Sequence, residues 1–191
     1  MHVGLYRFVR VATLVLARVL YRVRIVGSLP AEPCVVAANH ESMLDPPLLA
    51  LVSPRPLRFL AKEELWHHRP GAWLMDALGG IPVKRGREGQ VAIGRARELL
   101  EQGQSVAIFP QGTVRGGVWT RGAARLALET GAPLVPVRIV GSARALSRGR
   151  LGLPRISLVV GEPIEVTVAK PTAASARKLT GQLQARVDAA R

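Results

Sequence analysis

Val35-Val36-Ala37-Ala38-Asn39-His40-Glu41-Ser42-Met43-Leu44-Asp45-Pro46-Pro47-Leu48-Leu49-Ala50-Leu51-Val52 reads as a strand, a short polar loop and a helix. The apolar run Val35–Ala38 is a buried strand by its length and its lack of polar residues, and Leu48–Val52 opens a helix. Asp45-Pro46 is what a helix start prefers, a side-chain oxygen for the free N–H groups and then a residue that has no N–H to satisfy. The loop is short enough for the Asp45 carboxylate to turn back onto the His40 imidazole. A carboxylate on one ring nitrogen fixes the tautomer and leaves the other nitrogen free to remove a proton. This is two thirds of a hydrolase triad without its serine, so the proton would come from a substrate hydroxyl. On these residues alone a second reading stands beside it: Asp45 only a cap, His40 only a polar loop residue.

The pattern of apolar runs and helical stretches repeats outward from this unit. Arg22–Val26, Leu57–Ala61, Ile81–Val83, Ser105–Phe109, Pro133–Val140 and Arg155–Val160 read as strands. Helical stretches lie between them: Lys62–Trp66 and Gly71–Leu78, Glu88–Gln102, Arg121 up to Gly131, and Ala173–Arg191 at the end. Alternation of this kind predicts an α/β domain, a single central mixed sheet flanked by helices. The expected organisation is an N-terminal amphipathic helix over 1–22 and one domain over 23–191.

Composition narrows the class. The chain has 191 residues, 48% of them hydrophobic, with a net charge of +14 and a sequence pI of about 11.6. That surplus calls for an anionic partner. Aromatics are only 4%, too few for the stacking platforms of single-stranded nucleic acid. An anionic membrane surface or a phosphorylated substrate is the expected partner, and nucleic acid is not. The one cysteine, Cys34, excludes an internal disulfide, fits a reducing cytoplasm, and lies in the apolar strand as a core residue. No metal-ligand spacing appears, the adjacent His67 and His68 point apart on a helix, and no cofactor is expected. Residues 3–22 are apolar but interrupted by Arg7, Arg10, Arg18 and Arg22. At 100° per residue the four arginines fall within roughly a 120° sector. The uncharged run inside is far shorter than the ~20 residues of a membrane span. This predicts an interfacial helix, apolar side in lipid and arginines on headgroups, with packing on the protein's own sheet as the alternative. The expected location is the cytoplasmic face of the cell membrane.

Two further stretches carry chemistry. Gly79-Gly80-Ile81-Pro82-Val83-Lys84-Arg85-Gly86 sets Lys84 and Arg85 at the end of a short strand, and the arginine fork suits phosphate oxygens. Pro110-Gln111-Gly112-Thr113-Val114-Arg115-Gly116-Gly117 is a Gly-rich loop after a buried strand, able to bring backbone N–H groups to a phosphate or an oxyanion. Trp66 and Trp73 read as ordinary core or as one wall of an apolar pocket.

Taken in order, Asn39-His40-x-x-x-x-Asp45, the strand end at Lys84-Arg85, Phe109-Pro110-Gln111-Gly112-Thr113 and Pro133–Val137 resemble the four motifs of the glycerolipid acyltransferases. The resemblance runs from about Val23 to Val160. Two departures mark the third motif: Gln111 stands where the family has Glu, and Arg115 comes one place late. The resemblance implies an O-acyltransferase moving a fatty acyl group from acyl-CoA or acyl-carrier protein to the sn-2 hydroxyl of 1-acylglycerol-3-phosphate. It implies His40 as general base and Asp45 as its partner. It also implies acceptor binding by Lys84, Arg85, Gln111, Gly112, Thr113 and Arg115. The Gln111 and Arg115 departures keep a different lysophospholipid acceptor open, and a non-enzymatic basic protein that binds membrane or nucleic acid is the remaining alternative. No Ser or Cys is paired with His40, so no covalent acyl-enzyme is expected.

Overall fold

The computed structural model describes residues 3–53, 55–83, 89–114, 116–147 and 150–190. The chain opens with α1 (Val3–Tyr21), β1 (Arg24–Val26), β2 (Val35–Ala38) and α2 (Asp45–Leu49), the last running on as a 3-10 turn over Ala50–Val52. Then come β3 (Leu57–Lys62), a 3-10 turn over Glu63–His67, α3 (Arg69–Ala77), β4 (Gly80–Val83) and α4 (Gly89–Glu101). They are followed by β5 (Ser105–Ile108), α5 (Gly122–Thr130), β6 (Leu134–Val140) and α6 (Ser142–Ala145). A small hairpin of β7 (Leu146–Ser147) and β8 (Arg150–Leu151) precedes β9 (Ser157–Val160) and α7 (Ala173–Ala189). Residues 148 and 149, between the two strands of that hairpin, lie outside the described residues.

Seven strands form one sheet in the order β1-β9-β6-β2-β5-β3-β4. Every pairing in it is parallel except β6 with β9, so the sheet is mixed as expected. Helices cover both faces, which is why β2 and β5 read as continuous apolar runs and are buried throughout. Alternate residues of β2 enter different cores. Val36 and Ala38 pack with Leu48, Leu49, Phe59 and Met75 on the face that carries α1, α2 and α3. Val35 and Ala37 pack with Ala96, Leu99, Ala124, Leu126 and Leu183 on the face of α4, α5 and α7.

Two local details explain why these residues tolerate these positions. Pro136 sits inside β6, where a missing N–H normally breaks a ladder. Its carbonyl accepts from Gly161 just past the end of β9, so its nitrogen faces the side where that partner strand has stopped. Gly131 closes α5 in the left-handed conformation at φ 71°, and its N–H returns to Ala127 O at 2.8 Å.

The N-terminal helix serves two surfaces. Tyr6, Ala17 and Tyr21 are buried in the core. The Tyr6 hydroxyl donates to Arg55 O and accepts from Leu57 N, each at 3.3 Å, and Arg10 Nε donates to Ser53 O at 3.0 Å. Arg10 therefore faces the protein, and the expected single arginine stripe is broken. The opposite side exposes Phe8, Val11, Val15, Leu16, Val19 and Leu20, with Val19 73% accessible.

Candidate active site

The site is built at the carboxyl ends of three adjacent parallel strands, β6, β2 and β5. His40 lies two residues past the end of β2, and its side chain is only 13% exposed. Its Nδ1 lies 2.9 Å from Asp45 Oδ2. A carboxylate can only accept, so Nδ1 carries the ring proton and Nε2 is left as the acceptor. The face of the imidazole stacks on Phe109, with centroids 4.3 Å apart and planes at 25°.

Asp45 is wholly buried. Besides the imidazole, its Oδ2 accepts from Glu41 N at 2.6 Å and Ser42 N at 2.8 Å. The loop thus wraps a single carboxylate oxygen, while Oδ1 finds no hydrogen-bond partner among the described residues. This corrects the cap expected from Asp-Pro. Asp45 is the first residue of α2, Leu44 precedes it as the cap position, and no side chain caps the helix. The carboxylate points back into the loop, because three donors there, one of them a ring that takes up charge, outweigh one N–H of its own helix.

On the other side of His40 stands the Gly-rich loop. Gln111 Oε1 accepts from the backbone N of His40 at 2.5 Å. Gly112 is in the left-handed conformation at φ 65°, and its N–H donates to Phe109 O at 3.0 Å. The Thr113 hydroxyl donates to Gly116 O at 2.8 Å. So the Gly112 N–H does not stand free for a phosphate: the turn that the glycine permits has consumed it. Lys84, Arg85 and Arg115 lie outside the described residues.

The other candidates settle as follows. Cys34 is buried with its amide on Ser105 Oγ, and burial pushes its thiol up; it is a core residue. Trp66 packs on Gly80 and bonds Asp76 Oδ1 at 3.0 Å, whereas Trp73 is half exposed. His67 and His68 are on the surface. No cluster of His, Cys, Asp and Glu among the described residues is arranged to hold a metal.

Phe109 and Asn39 are the site residues that sequence reasoning passed over. Asn39 Oδ1 accepts from Ile139 N at 2.7 Å, and its Nδ2 donates to Ile139 O at 2.9 Å. Neither role has a local signal, since each depends on β5 and β6 flanking β2.

Residues 21–140, which include this histidine, its carboxylate partner and the Phe-Pro-Gln-Gly-Thr loop, match the family model described as Acyltransferase. The chain belongs to the PlsC-like glycerolipid acyltransferase family. Among solved structures it resembles the 1-acyl-sn-glycerophosphate acyltransferase PlsC of Thermotoga maritima. That match has a TM-score of 0.75 and 25% identity, and covers 96% of this chain and 75% of that one. A curated relative, the chloroplastic 1-acyl-sn-glycerol-3-phosphate acyltransferase BAT2 of Brassica napus, is 31% identical over 142 residues, 69% of this chain and 41% of that protein. The lyso-ornithine lipid O-acyltransferase of Pseudomonas aeruginosa is 36% identical over 124 residues, 62% of this chain and 47% of that protein. The chain thus spans less than half the length of these two relatives.

Proposed function

We propose that this chain transfers a fatty acyl group from an acyl-CoA or acyl-carrier-protein thioester to the sn-2 hydroxyl of 1-acylglycerol-3-phosphate, giving phosphatidic acid. The single observation that carries the reading is the His40–Asp45 pair, 2.9 Å apart, with Nδ1 committed and Nε2 available. Nε2 takes the acceptor's hydroxyl proton as its oxygen attacks the thioester carbonyl. The tetrahedral intermediate collapses, the C–S bond breaks, and the thiolate leaves with the proton returned from the imidazolium. Asp45 holds the ring through both transfers. Lys84, Arg85 and Arg115 are proposed to hold the acceptor's phosphate, and Gln111, Gly112 and Thr113 to shape the loop beside it. The proposed place of action is the cytoplasmic surface of an anionic membrane. The exposed apolar side of α1 enters the headgroup boundary there, supported by the dispersed surplus of positive charge. No described helix is long and apolar enough to cross a membrane.

A second acceptor has its own support. The 36% identity to a lyso-ornithine lipid O-acyltransferase favours a lysolipid without a glycerol phosphate. Transfer by the purified full chain from acyl-CoA and acyl-carrier protein, over lysophosphatidate, other lysophospholipids and lyso-ornithine lipid, tests both. Preference for lysophosphatidate supports the first reading, and preference for lyso-ornithine lipid supports the second. No transfer to any acceptor from either donor removes both.

A further inference from the structure

We propose that Asn39 and Gln111 are positioning residues for His40, two side-chain amides that extend the backbone ladders of β2 past the point where β2 ends. β2 pairs with β6 as far as Ala38↔Val137 and with β5 as far as Ala37↔Ile108. Beyond Ala38 the strand geometry must stop, because the loop turns to bring His40 and Asp45 together. A loop released there would leave the catalytic ring free to swing. On the β6 side the Asn39 amide takes over, meeting both the N–H and the C=O of Ile139. On the β5 side the Gln111 carbonyl takes over, meeting the N–H of His40 itself. The chain at Asn39-His40 is therefore held on both sides, to Ile139 of β6 through the Asn39 side chain and to the loop after β5 through Gln111, while the His40 ring is pinned by Asp45 and Phe109.

The two amides are not equivalent. Ile139 presents one donor and one acceptor, so position 39 needs a side chain that both accepts and donates. Aspartate would set a carboxylate oxygen against the Ile139 carbonyl. His40 presents only a donor, so position 111 needs only an acceptor. Glutamine and glutamate both qualify, and leucine does not. This gives the family difference at position 111 a specific meaning. The side-chain oxygen is spent on the histidine backbone, so exchanging Glu for Gln leaves the positioning bond in place and does not by itself choose an acceptor.

The inference rests on the acyl-transfer reading, and its test separates the two. In the full chain, Gln111→Leu is expected to lower kcat about 10²-fold, the cost of a misplacement near 1 Å, with KM for each lysolipid little changed. Gln111→Glu is expected to recover most of kcat with the order of acceptors preserved, and Asn39→Asp to lose kcat as Gln111→Leu does. The backbone amide proton of 15N-labelled His40 gives a readout that needs no activity. It should shift upfield in Gln111→Leu, stay near its wild-type position in Gln111→Glu, and not respond to added lysophosphatidate. A loss confined to KM for one acceptor, a reordering of acceptors by Gln111→Glu, or a His40 amide unmoved by Gln111→Leu would overturn it. If the wild type transfers nothing, the functional reading fails, and the His40 amide shift alone still decides whether Gln111 holds it.

Discussion

The loop after β2 and the helix α1 both carry polar groups through an apolar setting, and they use them in opposite ways. In the loop nearly every donor and acceptor is spent inside the protein. Asp45 Oδ2 takes three hydrogen bonds, Asn39 two through its ends on Ile139, and Gln111 one from His40. Among the described residues, the buried Oδ1 of Asp45 finds no partner, and the Nε2 of His40 is left as the reactive acceptor. In α1 only one side is committed, through Tyr6 and Arg10, and the other side shows water a row of valines, leucines and a phenylalanine. The loop gains orientation by spending nearly all its polar groups inside the protein, and the helix leaves a whole face free. A site that must aim one atom calls for the first solution, and the proposed contact with a fluid membrane suits the second.

The loop should therefore respond to single atoms. His40→Ala is expected to cut acyl transfer by about 10³–10⁴-fold, the upper part of the range for a general base, with little change in Tm because the ring is at the edge of the core. Asp45→Asn is expected to cost roughly 10²-fold in kcat, since an amide oxygen can still meet the three donors but no longer offsets the imidazolium charge. It also places an NH2 where Oδ1 is buried without a partner, so stability falls by about 1–3 kcal/mol, measured by urea titration. An Asp45→Asn variant of unchanged stability would show that Oδ1 is not held where the geometry places it.

The helix should respond to surface chemistry and not to atoms. Val15→Asp with Val19→Asp is expected to move the chain off anionic vesicles in a sedimentation assay while leaving Tm within a few degrees. Undiminished sedimentation would place the membrane contact elsewhere. Tyr6→Phe removes the hydroxyl that joins Arg55 O and Leu57 N. It should cost about 1 kcal/mol of stability and leave vesicle binding unchanged. Smallest of all, Cys34 should resist alkylation in the folded chain, because burial pushes its thiol up and hides it. Rapid labelling would mean that the β2 region opens.

Much of this was legible in the residues and some was not, for physical reasons. Val35–Ala38, Ser105–Ile108 and the βα spacing predict a covered sheet, because burial on both faces leaves strands without polar alternation. His40 and Asp45 are five residues apart, so one short loop decides their meeting. The cap at Asp45 was misread because a local preference competes with three donors that only the folded loop supplies. Gln111 is 71 residues from His40 and Asn39 is 100 from Ile139, and nothing local couples them. Only the strand order brings β5 and β6 to either side of β2. In α1 the helical period is clear, but which side meets the protein depends on Ser53, Arg55 and Leu57, far along the chain.

The central claim is that His40 and Asp45 act as one unit, a base and the group that orients it. A double-mutant cycle on acyl transfer tests it most directly. His40→Ala, Asp45→Asn and the double variant are compared with the wild type in kcat/KM on the preferred lysolipid. If the pair is a unit, the double variant is no slower than His40→Ala, because Asp45 has nothing left to orient. If the two losses multiply, each residue works without the other, and the account of the site is wrong.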